Sequence, residues 1–215
     1  MTTPIGNRPK FDDAWKLSKL IYQLGVDHNV LQHIARTIGG RVWSNICKEF
    51  APGRSKVCTL PSDAERGLEE FQSKWVNTCA VRMSYILNYC GVLVYEMPGT
   101  KIVTGGDRRK YFFRVRDVIK FLKERWGEPD IIVNNPPTHI ETRNPDGTVT
   151  PGAFGGKLAG KKGVILFEVP EAWGDAEGHA TLFNGAECYD DCYFNGDNHG
   201  HPHTGTTRAN FWELP

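Results

Sequence analysis

The spacing of apolar residues is helix-like in the first part of the chain and strand-like further on. Apolar positions three and four residues apart predict helices over 11–25 and 30–40, the first opened by acidic residues and the second ended by glycines. The same spacing predicts a short helix over 61–75 and another over 76–92. The N-terminal part is therefore expected to be largely helical.

Short apolar runs bounded by turn residues dominate the rest of the chain. One helix is predicted among them, over 116–127, where glycine and proline end it. A hairpin is predicted over 138–152, with the turn residues NPDG at 144–147. Strands are predicted over 92–97, 101–105, 110–115, 163–170 and 178–185. Helices followed by strands indicate an α+β fold.

Composition narrows the class of protein. The chain has 215 residues, 40% of them hydrophobic, and no repeat or long linker divides it, so one domain over 1–215 is expected. The 26 Lys and Arg against 25 Asp and Glu give a net charge of +1, so no nucleic-acid partner is expected. The start of the chain lacks a signal-peptide core, and no apolar run could span a bilayer, so neither general secretion nor membrane insertion is expected.

The six cysteines point to an oxidising environment. Two pairs are close enough in sequence to be bridged: Cys188 with Cys192, which would close a very small ring, and Cys47 with Cys58, which flank a loop. Disulfides persist outside the reducing cytoplasm. A chain without a signal peptide that expects oxidation needs an unusual delivery route.

Cys79 follows Asn77 and Thr78 at the predicted start of the helix over 76–92. Unpaired N–H groups and the helix dipole at such a position stabilise a thiolate. At about 100° per residue, the apolar stripe of this helix falls within roughly 40° of Cys79 and includes Cys90. Cys79 is therefore either a nucleophile or a small core residue, and the core role is assigned to Cys90. The stripe comprises Cys79, Met83, Ile86 and Cys90, whereas Arg82, Tyr85 and Asn88 are expected to point elsewhere.

A cysteine nucleophile needs a histidine base and a third group that orients the imidazole. Among the seven histidines, His179 differs because it opens a predicted strand. Eleven residues further on, Asp190 and Asp191 lie between Cys188 and Cys192, where one carboxylate could reach His179 after a turn. The sequence thus predicts a Cys, His, Asp order. The other histidines are His28, His33, His139, His199, His201 and His203.

Four segments resemble the type VI secretion amidase effectors, family 4. They are NTCAVRMSYILNYCGV (77–92), RVRDVIKFLKERWGEPD (114–130), GKKGVILFEV (160–169) and GHATLFNGAECYDDCYF (178–194). The resemblance implies a papain-like, NlpC/P60-type cysteine peptidase in which N-terminal helices pack on an antiparallel sheet. It also implies that Cys79 is the nucleophile, His179 the base and Asp190 the orienting acid, with Cys188 and Cys192 bridged around it.

The family's activity would resolve the conflict over delivery. The resemblance implies a protein made in the cytoplasm, injected by the type VI machinery and active in the periplasm of the target cell. It implies hydrolysis of the bond between D-glutamate and meso-diaminopimelate in peptidoglycan stem peptides, with no cofactor, and a cognate immunity protein as partner. The loop over 47–58 and the hairpin over 134–153 are larger than the family's core pattern, and this hairpin is expected on the rim of the cleft.

Other interpretations compete with this one. An enzyme of the same fold could act on a protein side chain or isopeptide bond, and a non-catalytic wall-binding module could use the same scaffold. A zinc site could combine the CYDDC segment (188–192) with the histidines over 199–203, but a solvated loop is the simpler interpretation, so no metal is expected. The glycine-rich stretch over 155–162 lacks the Ser or Thr and the following helix of a phosphate loop, and is interpreted as a turn.

Overall fold

A computed structural model of the chain describes residues 6–22, 30–50, 78–134, 141–143, 149–151, 155–169, 178–190, 192–194 and 205–215. The helices are α1 (Phe11–Tyr22), α2 (Val30–Ile38), α3 (Gly40–Phe50), α4 (Cys79–Tyr89), α5 (Val115–Trp126) and α6 (Gly155–Leu158). The strands are β1 (Ile102–Thr104), β2 (Lys110–Phe112), β3 (Ile131–Asn134), β4 (Glu141–Arg143), β5 (Val149–Pro151), β6 (Gly163–Glu168), β7 (Gly178–Phe183) and β8 (Arg208–Glu213). The helix predicted over 61–75 lies outside the described residues.

The largest described sheet has four strands in the order β3-β8-β6-β7, and every neighbouring pair is antiparallel. Every residue of β7 is buried, and so are the first five of β6, which is typical of a sheet covered on both faces. Two further pairs, β1 with β2 and β4 with β5, form small antiparallel hairpins. The predicted α+β fold with an antiparallel sheet is confirmed.

Helix α4 is the central helix of the fold. It packs against α1, α5, β2 and β7, so its surroundings leave it no broad solvent face. The expectation of a single buried stripe was therefore wrong: Tyr85 and Asn88 are buried like Met83 and Ile86, and Arg82 is largely buried. Cys90, expected in the core, lies just beyond the last turn and is only half-buried.

The strand predicted over 92–97 is wrong for an identifiable reason. Val92, Val94 and Met97 are buried, which satisfies the apolar pattern, but the N–H of Val92 still bonds the end of α4, at the carbonyl of Leu87, and two further N–H groups bond side chains. The N–H of Val94 donates to Asn88 Oδ1 at 2.9 Å, and that of Met97 to Thr100 Oγ1 at 3.0 Å. The segment is therefore a loop that is held by hydrogen bonds to the side chains of Asn88 and Thr100, which flank it. The turn expected over 155–162 also differs, because it begins with the one-turn helix α6.

Besides α6, three described elements were not predicted: α3, β3 and β8. The glycines at 39 and 40 end α2 as expected, but α3 begins at once. Gly40 has a φ of 59°, and a Cβ there would lie 2.4 Å from the backbone nitrogen of Gly106. The glycines thus allow the α2–α3 turn to approach the β1–β2 hairpin, and the N–H of Gly106 donates to the carbonyl of Ile38 at 2.8 Å.

Candidate active site

Cys79 is the first residue of α4. Its N-cap, Thr78, makes no side-chain capping hydrogen bond, so that side chain leaves the N–H groups of the first helical turn unsatisfied. The Cys79 side chain is 1% exposed, and its Sγ lies 3.9 Å from the carbonyl oxygen of Gly178, at the start of β7. The helix start therefore faces the sheet strand that carries the predicted base.

His179 is the second residue of β7, directly after that carbonyl. The register of β6 and β7 sets it opposite Phe167. A Cβ at Gly178 would lie 2.1 Å from the carbonyl oxygen of Phe167, so glycine permits the close approach that brings the start of β7 to the site. The imidazole is buried and its ring centre lies 4.4 Å from that of Tyr193.

Asp190 returns to His179 through a tight turn after β7. The side chain of Asn184 accepts hydrogen bonds from the N–H groups of Ala186 and Glu187, each at 2.9 Å, and closes this turn. The N–H of Tyr189 then donates to the carbonyl of Leu182 at 2.8 Å. The Oδ1 atom of Asp190 consequently lies 3.1 Å from His179 Nε2. The neighbouring Asp191 lies outside the described residues.

The disulfide between Cys188 and Cys192 is present and encloses Asp190. The backbone of Cys188 also forms an isolated antiparallel β-bridge with that of Phe183 in β7. Both cysteines of the disulfide are buried in a cluster with Phe183 and Phe194. The small ring is therefore fixed to the sheet that carries His179.

The charges of the site reinforce one another. Burial alone would lower the pKa of His179, but the charge and hydrogen bond of Asp190, with Cys79, raise it to about 10. Burial alone would raise the pKa of Asp190, but His179, then Arg82 and Thr181, hold it well below its usual range. His179 is thus an imidazolium and Asp190 a carboxylate at neutral pH. Because Nε2 faces Asp190, Nδ1 is the ring nitrogen left to face the thiol.

Sequence reasoning missed Arg82, which lies one turn after Cys79 on α4. Its Nη2 is 3.2 Å from Asp190 Oδ2, and its guanidinium carbon is 3.7 Å from the ring centre of Tyr22 in α1. The wheel of an amphipathic helix assigns a charged residue to solvent by default. The pairing of Arg82 with a carboxylate 108 residues away leaves no local signal in the sequence.

The remaining cysteines differ from Cys79. Cys47 is disulfide-bonded, and its predicted partner Cys58 lies outside the described residues. Cys90 is a free thiol whose pKa is raised to about 11, mainly by burial and further by Asp13, so it stays protonated at neutral pH. Cys79 is the other free cysteine in the described part of the chain.

No group of three or more His, Cys, Asp and Glu side chains suited to a metal ion occurs in the described part of the chain. The histidines over 199–203 lie outside it, so the zinc alternative is not tested. The helices among these same residues are all too short or too polar to cross a membrane.

A helix that begins with a cysteine and packs on an antiparallel sheet bearing a histidine is typical of the papain-like fold of the NlpC/P60 kind. The family model of type VI secretion system amidase effector protein 4, Tae4, matches residues 75–212. The chain therefore belongs to this family of antibacterial peptidoglycan amidases, which act in the periplasm of the target cell.

Solved structures of the family resemble the chain over nearly its whole length. Tae4 of Enterobacter cloacae, in its effector-immunity complex with Tai4, is 33% identical, with 97% of this chain and 99% of that chain covered and a TM-score of 0.65. Tae4 of Salmonella typhimurium, in complex with Tai4 of Enterobacter cloacae, is 27% identical, with 97% and 100% covered and a TM-score of 0.62. No curated protein matches the chain significantly.

Proposed function

We propose that Cys79, His179 and Asp190 are the nucleophile, the acid–base and the orienting carboxylate of this amidase. The observation that carries the proposal is their convergence from three separate segments into one buried cluster, with His179 hydrogen-bonded to Asp190 at 3.1 Å and the Cys79 Sγ 3.9 Å from the carbonyl oxygen of Gly178, the residue before His179. The N–H of Cys79, at an uncapped helix start, is suited to stabilise an oxyanion.

The bond cleaved is that between the side-chain carbonyl of D-glutamate and the amine of meso-diaminopimelate in the stem peptide. The Cys79 thiolate adds to the carbonyl carbon, and the imidazolium of His179 gives its proton to the departing amine nitrogen as the C–N bond breaks. A thioester to D-glutamate results. His179, now neutral, accepts a proton from water, which attacks the thioester and releases the carboxylate and the sulfur of Cys79.

Mass spectrometry of stem peptides tests the proposal. The native protein is expected to give products with a free D-glutamate side-chain carboxylate and a free diaminopimelate amine. Cys79→Ala should lose several orders of magnitude in rate while it unfolds at nearly the native temperature. Cys90→Ala, which removes the other free thiol, should stay active. Cleavage by Cys79→Ala would overturn the assignment, and cleavage or deamidation of protein substrates instead of stem peptides would favour a protein-modifying enzyme.

The cellular setting follows from the same proposal. The protein is made in the cytoplasm as a single catalytic domain over 1–215, passes through the type VI machinery and meets peptidoglycan in the periplasm. Packing of α1 against α4 and β7 supports a single domain, because it joins the N-terminal helix to both catalytic elements. The disulfide at Cys188 supports work in an oxidising compartment.

A cognate immunity protein is proposed to bind the rim of the site. The relatives from Enterobacter cloacae and Salmonella typhimurium were each solved with Tai4 immunity proteins, which supports such a partner. Strands β4 and β5 form the hairpin whose predicted turn at 144–147 lies outside the described residues. Deletion of this turn should weaken inhibitor affinity more than turnover, measured by titration of one protein preparation. Equal losses in both would contradict a rim role.

A further inference from the structure

Arg82 is a largely buried arginine in direct contact with Asp190. Its side chain is 12% exposed, and its two close partners are a carboxylate and an aromatic face. Asp190 uses both oxygens, since Oδ1 faces His179 at 3.1 Å and Oδ2 faces Arg82 at 3.2 Å. Desolvating a guanidinium is costly, so this arrangement is stable only if the charge of Arg82 is matched by its surroundings.

The charges of the neighbouring groups show how the positive charge of Arg82 is balanced. In the reactive state of the proposed mechanism, the charges of the Cys79 thiolate and the His179 imidazolium cancel, so the Asp190 carboxylate adds one negative charge to a buried site. Arg82 supplies the positive charge that balances it. Without Arg82, the neutral combination of the three other groups is the thiol, the imidazolium and the carboxylate, in which the nucleophile carries its proton.

We propose that Arg82 is a positioning residue which balances the charge of Asp190 and thereby keeps Cys79 as the thiolate; this inference rests on the proposed roles of Cys79, His179 and Asp190. Arg82 acts through Asp190 and through the field of its own charge at the sulfur. The planar guanidinium, stacked on Tyr22, also limits rotation of the carboxylate and keeps Oδ1 directed at His179.

The other ionisable groups that the structure describes around Arg82 do not replace its charge. Burial raises the pKa of Tyr22 well above its usual value, with Arg82 opposing and Asp190 adding to the shift. Burial also raises the pKa of Tyr189, so these phenols stay neutral at neutral pH. Among the described residues, the ionisable groups that face the cluster are Tyr22 from α1, Cys79 from α4, His179 from β7, and Tyr189, Asp190 and Tyr193 from the chain after β7.

Arg82→Gln in the full chain isolates the charge, because the introduced amide keeps a hydrogen-bond donor. The readout is the ultraviolet absorbance of the thiolate as pH rises, with the same variant carrying Cys79→Ala as the blank. Removal of the positive charge should move the onset of thiolate formation upward by about one pH unit. At a pH below the onset of thiolate formation in both proteins, kcat/KM should then fall about tenfold, since one unit is there a tenfold change in the thiolate fraction.

The second substitution separates charge balance from packing. Arg82→Gln combined with Asp190→Asn removes both charges and leaves two amides that can pair, with the new asparagine orienting His179 as in Cys, His, Asn peptidases. The onset should return to within about half a pH unit of the native value, since both members of the ion pair are gone. An unchanged onset in Arg82→Gln, or a double variant no better than Arg82→Gln, would overturn the proposal.

Two further variants keep the test decisive. If Arg82→Gln does not fold, Asp190→Asn alone tests the inference. The positive charge of Arg82 is then left unbalanced and should move the onset of thiolate formation to lower pH. No shift, or an upward shift, would overturn the inference. Arg109→Gln is the matched control, because Arg109 also pairs with an aspartate, Asp107, and lies 4.4 Å over a tyrosine ring, that of Tyr89. It should leave the onset unchanged, and a shift as large as that of Arg82→Gln would overturn the site-specific interpretation.

The titration uses no peptidoglycan, so two failures can be told apart. A native protein without any thiolate signal assigned to Cys79 would contradict the proposed nucleophile. A native signal that is insensitive to Arg82 would contradict the charge-balance inference alone.

Discussion

The disulfide between Cys188 and Cys192 is expected to serve the position of Asp190 more than the stability of the fold. On one side of Asp190, the N–H of Tyr189 is bonded to β7 at the carbonyl of Leu182. The disulfide fixes the other side. Replacement by Cys188→Ala with Cys192→Ala, or reduction, should therefore let the carboxylate move relative to His179. Alanine is chosen because both sulfurs are buried, and serine would bury two new hydroxyl groups.

The expected magnitudes differ for stability and for turnover. The ring spans five residues, for which the chain-entropy contribution is about 2 kcal/mol. For a chain of this size that lowers the unfolding temperature by about 4–8 °C. Asp190 keeps its contacts with His179 and Arg82, so its displacement is partial, and turnover should fall about tenfold, equivalent to about 1.4 kcal/mol in the barrier.

The assay measures turnover and thermal unfolding side by side on the oxidised, reduced and double-alanine proteins. Cys79 must be reduced in every sample, which thiol titration before each run verifies. The double-alanine variant is needed because reduction also reaches the disulfide of Cys47. Unchanged turnover would refute the positioning role. A loss of turnover equal to the unfolded fraction would return the disulfide to a purely structural role.

Two other predictions follow from the described contacts. The pKa of His179 is raised to about 10 in the folded protein, whereas an ordinary histidine has a pKa of about 6.5. The imidazolium therefore contributes its full stabilisation of the fold at a pH below about 6.5. Both this stabilisation and turnover should be lost as the pH rises through about 10. In pH–rate profiles, Asp190→Asn should move that alkaline loss to lower pH, and an upward shift would contradict the charge argument. Gly40→Ala should lower the free energy of unfolding by about 2–3 kcal/mol in denaturant titrations, because its φ is 59° and the methyl group would meet Gly106. Gly160→Ala, also at positive φ but with no described atom near its Cβ, should cost only about 1 kcal/mol.

The elements that local patterns could predict are those whose burial follows their own periodicity. Helices α1 and α5 and strands β6 and β7 agree with the sequence prediction to within a few residues at their ends. The helix start at Cys79 was predicted as well, and it matters most for the site. The burial of α4 beyond its apolar stripe was not predicted, because the elements that surround α4, namely α1, β2, α5 and β7, cannot be inferred from the sequence of α4 itself.

Strand β8 shows what local patterns could not provide. It follows a stretch rich in His and Gly that reads as a loop, and it has six residues, yet it lies between β3 and β6 in the sheet. Asn210, in its middle, is fully buried and donates to Glu168 Oε1 at 2.7 Å. A polar residue at a central position weakens the strand pattern, so β8 is recognised only through its neighbours.

The site itself depends on contacts between distant segments. The sequence identifies the charged residues, but it does not show which of them meet in one cluster. Tyr22 closes α1, Arg82 belongs to α4, and Asp190 lies in a turn after β7, yet each touches the next. Because Tyr22 stacks on the arginine that balances Asp190, the docking of α1 is coupled to the reactivity of Cys79. Substitutions that weaken the packing of α1 should therefore lower the fraction of Cys79 present as thiolate even where they are too mild to unfold the sheet. The N-terminal helix thus contributes to the charge balance of the site as well as to the core.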